Sequence, residues 1–320
     1  EAANHMSHMS TVGDWLQPYS QQEDDRRGYT PNELISTAFY AYSVQLTMKS
    51  AGVLGLKQDS IRYQKLLGDI AQAFEKEYFD SEGRIKPPYT PTQTGYLLAI
   101  GFDLLSEETA EKSVKNLVEL IGDAGNHLRT GFIGTPLLAY VLDNTGNTGL
   151  LYEILFKETY PSWFYPINQG ATTMWERWDG FTHDKGFAKK ALSFNHYAYG
   201  AIGQFLYERI AGIRPLKPGY KKIEIAPLTG SPLKSARASY NTPYGMVGSA
   251  WKIENGVFEL KTTVPPNTTA KIIIPANTNE NMMLDGIDFY ENAQVKLIKK
   301  TKKHFEMEVQ PGDYVFESKL

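Results

Sequence analysis

The chain has no cysteine among its 320 residues. A thiol nucleophile, a zinc–thiolate site and a disulfide framework are therefore excluded. Lack of cysteine suits a reducing compartment, but many secreted enzymes also lack it, so periplasm, secretion and cytoplasm all stay open. An excess of one charge is missing too: 33 Lys and Arg stand against 36 Asp and Glu, a formal net charge of −3. With no basic field and no Arg/Lys stripe, nucleic acid is not an expected partner. No apolar run approaches the ~18 residues of a membrane span, and no signal peptide is visible. The HExxH, CxxC, P-loop, Gly-x-Ser-x-Gly and EF-hand patterns are absent. No metal set and no cofactor is assigned.

What is present divides the chain. Residues 1–10 read EAANHMSHMS and resemble a vector-derived tail, with the native segment starting near Thr11. Residues 11–213 read as helical hairpins. Thr30-Pro31-Asn32-Glu33 has the pattern of a capping box with Pro at the first helical position. The helix it opens places Leu34, Ala38, Ala41, Val44, Leu46 and Met48 inward or close to the inward face. Asp59 reads as a second cap, before Ile61, Leu66, Ile70 and Phe74 at helical spacing. Further helices are predicted over Thr92–Leu105, from Ser106, over Thr135–Leu142 and over Thr148–Phe156. A long irregular stretch from Pro161 to about Leu192 precedes a last helix, Ser193 to Ile210. That makes about seven helices in antiparallel order, fewer than the twelve of a closed six-hairpin toroid. Residues 214–320 change character, with short alternating runs between Asn-Gly, Pro-Pro and Pro-Gly turns. They predict an antiparallel β-sandwich, and nothing in it suggests chemistry.

The densest candidates lie between Tyr160 and His196. Three of the five tryptophans, Trp163, Trp175 and Trp178, fall there, and Glu176 sits between two of them. Indole faces pack against the C–H bonds of sugar rings, and a carboxylate is what glycoside cleavage requires. Bulky indoles also shield a carboxylate from bulk water. The plainer reading of each tryptophan is a core residue. Asn195 and His196 are expected to open the last helix, where His196 is either a hydroxyl partner or a core histidine. Asp179 is read as a turn cap, with a substrate hydroxyl as the other partner open to it. Gly13-Asp14-Trp15-Leu16 sets Asp14 and Trp15 side by side, as a sugar subsite or as a turn with an anchor. His127, in a Gly-rich passage, is a weaker candidate for the same cavity.

These runs resemble a known family. GDWL (13–16), STAFYAYS (36–43), TQTGYLLAI (92–100), HLRTGFIGT (127–135), PSW (161–163), GATTMWERWDG (170–180), SFNHYAYGAI (193–202) and AGIRPLKPGY (211–220) are similar, in order and spacing, to the C-terminal part of the bacterial α-L-rhamnosidases of glycoside hydrolase family 78. The resemblance implies part of an (α/α)6 barrel followed by a β-sandwich. It implies inverting hydrolysis of terminal α-L-rhamnose from a glycoside or polysaccharide. It implies Glu176 as general base, Trp15 and His196 as sugar contacts, and Trp175 and Trp178 as the pocket frame. One departure stands out. The family's general acid is a Glu in an Arg-Asp-Glu-Arg motif, followed by Trp-x-Gly-Asp, upstream of GDW. Neither Asp24-Asp25 nor Arg26-Arg27 reproduces it. The chain is therefore expected to be a fragment whose partner is the missing N-terminal part of the same protein. The competing expectations are a catalytically inactive sugar-binding remnant, or another (α/α)6 hydrolase or a lyase.

Overall fold

The structure is a computed structural model that describes residues 5–7, 12–19, 27–189, 193–230, 232–277, 282–289 and 295–320. Most of the tail, together with Thr11, Asp24, Asp25, Arg26 and Leu192, lies outside the described residues. The chain divides into two compact units, Glu1–Ile202 and Gly203–Leu320.

The first unit is helical. Its elements are α1 (Asn32–Val53), α2 (Lys57–Tyr78), α3 (Gln93–Gly101), α4 (Glu107–Asp123), α5 (Thr135–Asn144), α6 (Thr148–Leu155) and the short α7 (Phe164–Asn168). They pack as hairpins, α1 on α2, α3 on α4 and α5 on α6, and α3 also meets α1 and α5. The predicted capping box is not made. Pro31 precedes α1 without a side-chain cap. The Thr30 hydroxyl instead shares a 2.7 Å hydrogen bond with that of Thr92. Thr92 is the working cap, accepting from Gly95 N at 3.0 Å to start α3.

Asp59 is not the cap of α2, which begins two residues earlier at Lys57. Its charge still falls in the first turn, where the helix dipole favours it. The first turn of α4 is held from α2. Glu75 accepts from Ser106 N at 2.8 Å, Ser106 Oγ at 2.7 Å and Thr109 Oγ1 at 2.5 Å. Burial works against the Glu75 charge, but those donors outweigh it and hold its pKa below the ordinary value. Leu46, predicted inward, is 45% exposed, and Ile61, one of the residues at helical spacing, is 68% exposed. The tail is not wholly apart from the fold either, since Met6 is buried and Ser7 O accepts from Ser36 Oγ at 3.0 Å.

The last predicted helix starts late. Helical structure begins with a 3-10 turn at Ala198–Ala201, followed by α8 (Ile202–Phe205) and a π-helical turn at Leu206–Ile210. Residues 193–196 are not helical, because their backbone is committed elsewhere. Glu176 N donates to Ser193 O at 3.0 Å, and His196 N donates to Met174 O at 2.8 Å. The stretch expected to be irregular contains α7 and a small antiparallel pair, β1 (Phe181–Thr182) and β2 (Gly186–Phe187).

The second unit is a sandwich. Its strands are β3 (Ile213–Pro215), β4 (Lys222–Ile225), β5 (Ser235–Thr242), β6 (Gly245–Glu254), β7 (Val257–Val264), β8 (Thr269–Pro275), β9 (Met283–Leu284), β10 (Ile287–Asp288), β11 (Val295–Lys300), β12 (His304–Val309) and β13 (Gly312–Lys319). One sheet runs β10-β9-β13-β7-β6-β5 and the other β11-β12-β8-β4-β3. Among the described residues, pairing is antiparallel except for β4 beside β8. The period-2 pattern supplies the core: Val247, Trp251, Phe258, Leu260 and Phe316 come from one sheet, and Ile223, Ile272, Ile274, Phe305 and Met307 from the other.

Candidate active site

Glu176 is buried, at 5% exposure. Its backbone is pinned by the bond to Ser193 O. Its carboxylate oxygen Oε2 is sealed from solvent and has no hydrogen-bond partner among the described residues. A buried polar atom left unpaired costs about 1–3 kcal/mol, and such atoms in a native fold call for an explanation. Two residues on, Trp178 Nε1 is also buried and unpartnered. One short segment thus keeps both an acceptor and a donor free of protein.

The tryptophans form part of an aromatic wall. Trp178 stacks on Tyr199, with centroids 4.0 Å apart, and meets Trp163 edge-on at 5.4 Å. Trp163 Nε1 donates to Tyr199 O at 2.9 Å. Trp175 meets Phe194 edge-on at 5.1 Å. Thr173 Oγ1 donates to Phe194 O, which ties the segment of Glu176 to the segment of His196 a third time. Tyr199 is the residue the sequence reading missed. Its ring is fully buried and its hydroxyl donates to Leu16 O at 2.8 Å. Burial pushes the phenol well above its ordinary pKa, with the Asp14 charge adding to the effect. It therefore stays a donor.

Asp14 is placed differently from an open sugar contact. It has no exposed surface. Oδ2 accepts from Thr94 Oγ1 at 2.5 Å and Gly131 N at 2.8 Å, and Oδ1 accepts from Ile133 N at 2.9 Å and Gly134 N at 3.3 Å. Desolvation raises its pKa, while these hydrogen bonds pull the other way without cancelling the rise. The carboxylate latches the Gly13–Leu16 turn to the loop before α5. Phe132 N then donates to Trp15 O at 2.9 Å. Trp15, Gly13, Val12, Phe132 and Ile133 line an apolar cavity of about 250 Å³.

Phe132 carries the connection onward. Its ring lies 4.9 Å from His196 and 5.3 Å from Tyr199. His196 does not open a helix N-terminus. It precedes the 3-10 turn, and its Nδ1 accepts from Ala198 N at 3.2 Å. In the neutral ring the proton then sits on Nε2, which is free to donate. Trp15, Trp163, Trp175, Glu176, Trp178 and His196 thus belong to one connected set. His127 is engaged elsewhere: Nδ1 bonds Gly125 O at 3.0 Å and Ala124 O at 3.2 Å, and Nε2 bonds Thr159 Oγ1 at 2.8 Å. Asp179 receives a two-pronged contact from Arg177, at 3.0 Å through each of Nε and Nη2, and so serves as an ion-pair partner.

Comparison with known proteins follows the same lines. Residues 2–210 match the bacterial alpha-L-rhamnosidase 6 hairpin glycosidase domain, and residues 212–286 match the bacterial alpha-L-rhamnosidase C-terminal domain. An alpha-L-rhamnosidase of Formosa agariphila is 52% identical over 98% of this chain, which spans 34% of that protein. One from Streptomyces avermitilis is 41% identical over 83% of the chain, covering 25% of its own length. The crystal structure of the Streptomyces avermitilis alpha-L-rhamnosidase complexed with L-rhamnose superimposes with a TM-score of 0.86 at 36% identity, over 99% of this chain and 29% of that one. The native enzyme from Aspergillus terreus gives 0.83 at 29% identity, over 97% of this chain and 33% of that one. The chain therefore spans about a third or less of the length of these relatives.

Proposed function

The chain belongs to the bacterial α-L-rhamnosidase six-hairpin glycosidase family, and on that premise we propose that it supplies the general-base half of an inverting α-L-rhamnosidase site. The observation that carries this reading is the buried, unpartnered Oε2 of Glu176, a residue flanked in the sequence by Trp175 and Trp178. An inverting glycosidase needs a carboxylate that takes a proton from water as the water oxygen attacks the anomeric carbon. A carboxylate oxygen whose lone pairs already accept from protein donors has none left to take a proton from water. Glu176 is spared that competition, whereas Asp14, saturated by four donors, is a positioning group.

Trp15 and His196 are assigned to hold the sugar, His196 as a donor through Nε2. Trp163, Trp175 and Trp178 are assigned to frame the sugar site, whereas His127, bonded to Gly125 O and Thr159 Oγ1, is given no part in it. The acid that protonates the leaving oxygen is assigned to residues of the full-length protein outside this chain, ~6.5–9.5 Å from Glu176 with room for the water. The substrate class is a terminal α-L-rhamnoside of a glycoside or polysaccharide.

The test is Glu176→Gln in the full-length protein, assayed on an aryl α-L-rhamnoside. Loss of a general base is expected to lower kcat by on the order of 10²–10⁴ with little change in KM. Full activity in that variant would overturn the assignment. The isolated 320-residue chain is expected to show little turnover, and Glu176-dependent activity in it would overturn the division of the site.

A further inference from the structure

The two sheets of the second unit treat the charges on their outer faces differently. On the β11-β12-β8-β4-β3 sheet the charges pair with one another: Lys271 with Glu306 and Lys222 with Glu308, both at 2.9 Å, and Arg214 with Glu224. The other sheet carries a hollow of about 760 Å³, within the ~300–1,000 Å³ of small-molecule sites. Two cross-strand rows line it. Arg237 of β5, Ala250 of β6, Lys261 of β7 and Val315 of β13 stand side by side in one. Ser239, Gly248, Thr263 and Asp313 stand in the other, two residues away along each strand. The core side chains Trp251, Leu260 and Phe316 alternate with them, so both rows face outward.

Gly248 and Ala250 keep the middle of the face low. A Cβ at Gly248 would meet Thr263 at 3.5 Å, an ordinary contact, so packing does not demand a glycine there. Charged groups stand around that floor with bonding capacity to spare. Arg237 has no hydrogen bond or ion pair among the described residues. Asp313 Oδ1 accepts from Thr263 Oγ1 at 2.6 Å, and Asp285 Oδ1 accepts from Val315 N at 2.8 Å. Oδ2 of each acid has no partner among the described residues. Arg237 and Asp313 are three strands apart, about 14 Å at ~4.8 Å per strand, and a molecule lying across the floor reaches both.

We infer that this hollow of the β-sandwich binds a neutral sugar ring through its hydroxyls. The free acid oxygens accept and the Arg237 fork donates, and a sugar hydroxyl does both at once. Arg237 and Lys261 balance Asp285 and Asp313 around one cavity. A ligand of a single sign would therefore meet its own charge somewhere in the hollow. Tyr207, from the π-helical turn, lines the same cavity and is 47% exposed. Its ring offers a flat apolar face to the C–H side of a sugar, with a hydroxyl at the rim. All of these residues lie within the second unit. The inference goes beyond the hydrolytic reading and does not depend on the role of Glu176.

The test labels the alanine methyls of the 320-residue chain for NMR, so that Ala250 reports from the floor of the hollow. L-rhamnose, D-galactose and D-glucose are added in turn to about 50 mM, enough to detect a Kd in the millimolar range. The Ala250 signal is expected to shift, saturably, with at least one of them. Arg237→Ala and Asp313→Asn should each weaken that sugar by about tenfold or more, because hydrogen bonds to charged groups are the strong ones. Gly248→Val, which fills the floor, should abolish the shift. The buried methyls of Ala270 and Ala276 check that each variant keeps its fold. No Ala250 shift with any of the three sugars would overturn the inference. So would tighter binding of inorganic phosphate or D-galacturonate at Ala250, which would make the hollow an anion site. A sugar shift that survives all three substitutions would place the sugar elsewhere and overturn it too.

Discussion

The ring of Tyr199 lies stacked on Trp178, with centroids 4.0 Å apart and planes 22° apart. Its hydroxyl reaches Leu16 O, 183 residues earlier in the chain. One side chain thereby joins the Gly13–Leu16 turn to the segment of Glu176. Tyr199→Phe is expected to keep the stack and lose the hydrogen bond, for about 1 kcal/mol of stability. Tyr199→Ala should cost about 3–5 kcal/mol, the range for removing a buried aromatic ring. Urea unfolding followed by tryptophan fluorescence measures both. Equal costs would show that the hydroxyl, not the stack, holds the segment.

Gly131 is a position where the backbone admits no side chain. A Cβ there would sit 2.3 Å from Trp15 O and 2.6 Å from Asp14 O. Gly131→Ala is expected to push the loop off the turn and destabilise the chain by about 1–3 kcal/mol, the usual cost of overpacking. Asp14→Asn should have a related effect by a different route. The amide keeps one acceptor oxygen, so donors among Gly131, Ile133, Gly134 and Thr94 lose their partner, for about 1–3 kcal/mol. The double variant measures whether the two act on one latch. If the effects add fully, the latch is not a single unit.

Acid should weaken the second unit through Glu306 and Glu308. Lys271, bonded to Glu306 at 2.9 Å, and then His304 hold the Glu306 carboxyl below its ordinary value of 4.5. Lys222, at 2.9 Å, does the same for Glu308. A lowered folded-state pKa means that the stabilisation is complete above the unfolded value and is lost as pH falls through the folded one. The urea midpoint is therefore expected to drop as pH falls below about 4.5. Glu306→Gln with Glu308→Gln should flatten that slope. An unchanged slope in the double variant would assign acid sensitivity to other carboxylates.

Much of the architecture was legible because local chemistry writes it. Gly55, at positive φ just past the end of α1, marks a helix end. Strand β7 announces itself by the alternation of Phe258, Leu260, Thr262 and Val264 facing in. Glu176 and its tryptophans were legible because they are neighbours in the chain. Leu46 was misplaced inward because helical spacing identifies an apolar face without saying what covers it. Ser193–His196 was taken for helix because residue preferences do not reveal that Met174 and Glu176 claim those backbone groups.

By itself the sequence determined the two-part plan, the hairpin rhythm, the alternating strands and the carboxylate set among indoles. All of these follow from residues within a few positions of one another. Only the tertiary structure decided that Asp14 is a latch, that Tyr199 is the link and that Oε2 of Glu176 is left unpaired. The donors to Asp14 lie 80 to 120 residues away. Whether a carboxylate ends up saturated or free depends on which backbone N–H groups the fold brings to it, and no local pattern encodes that.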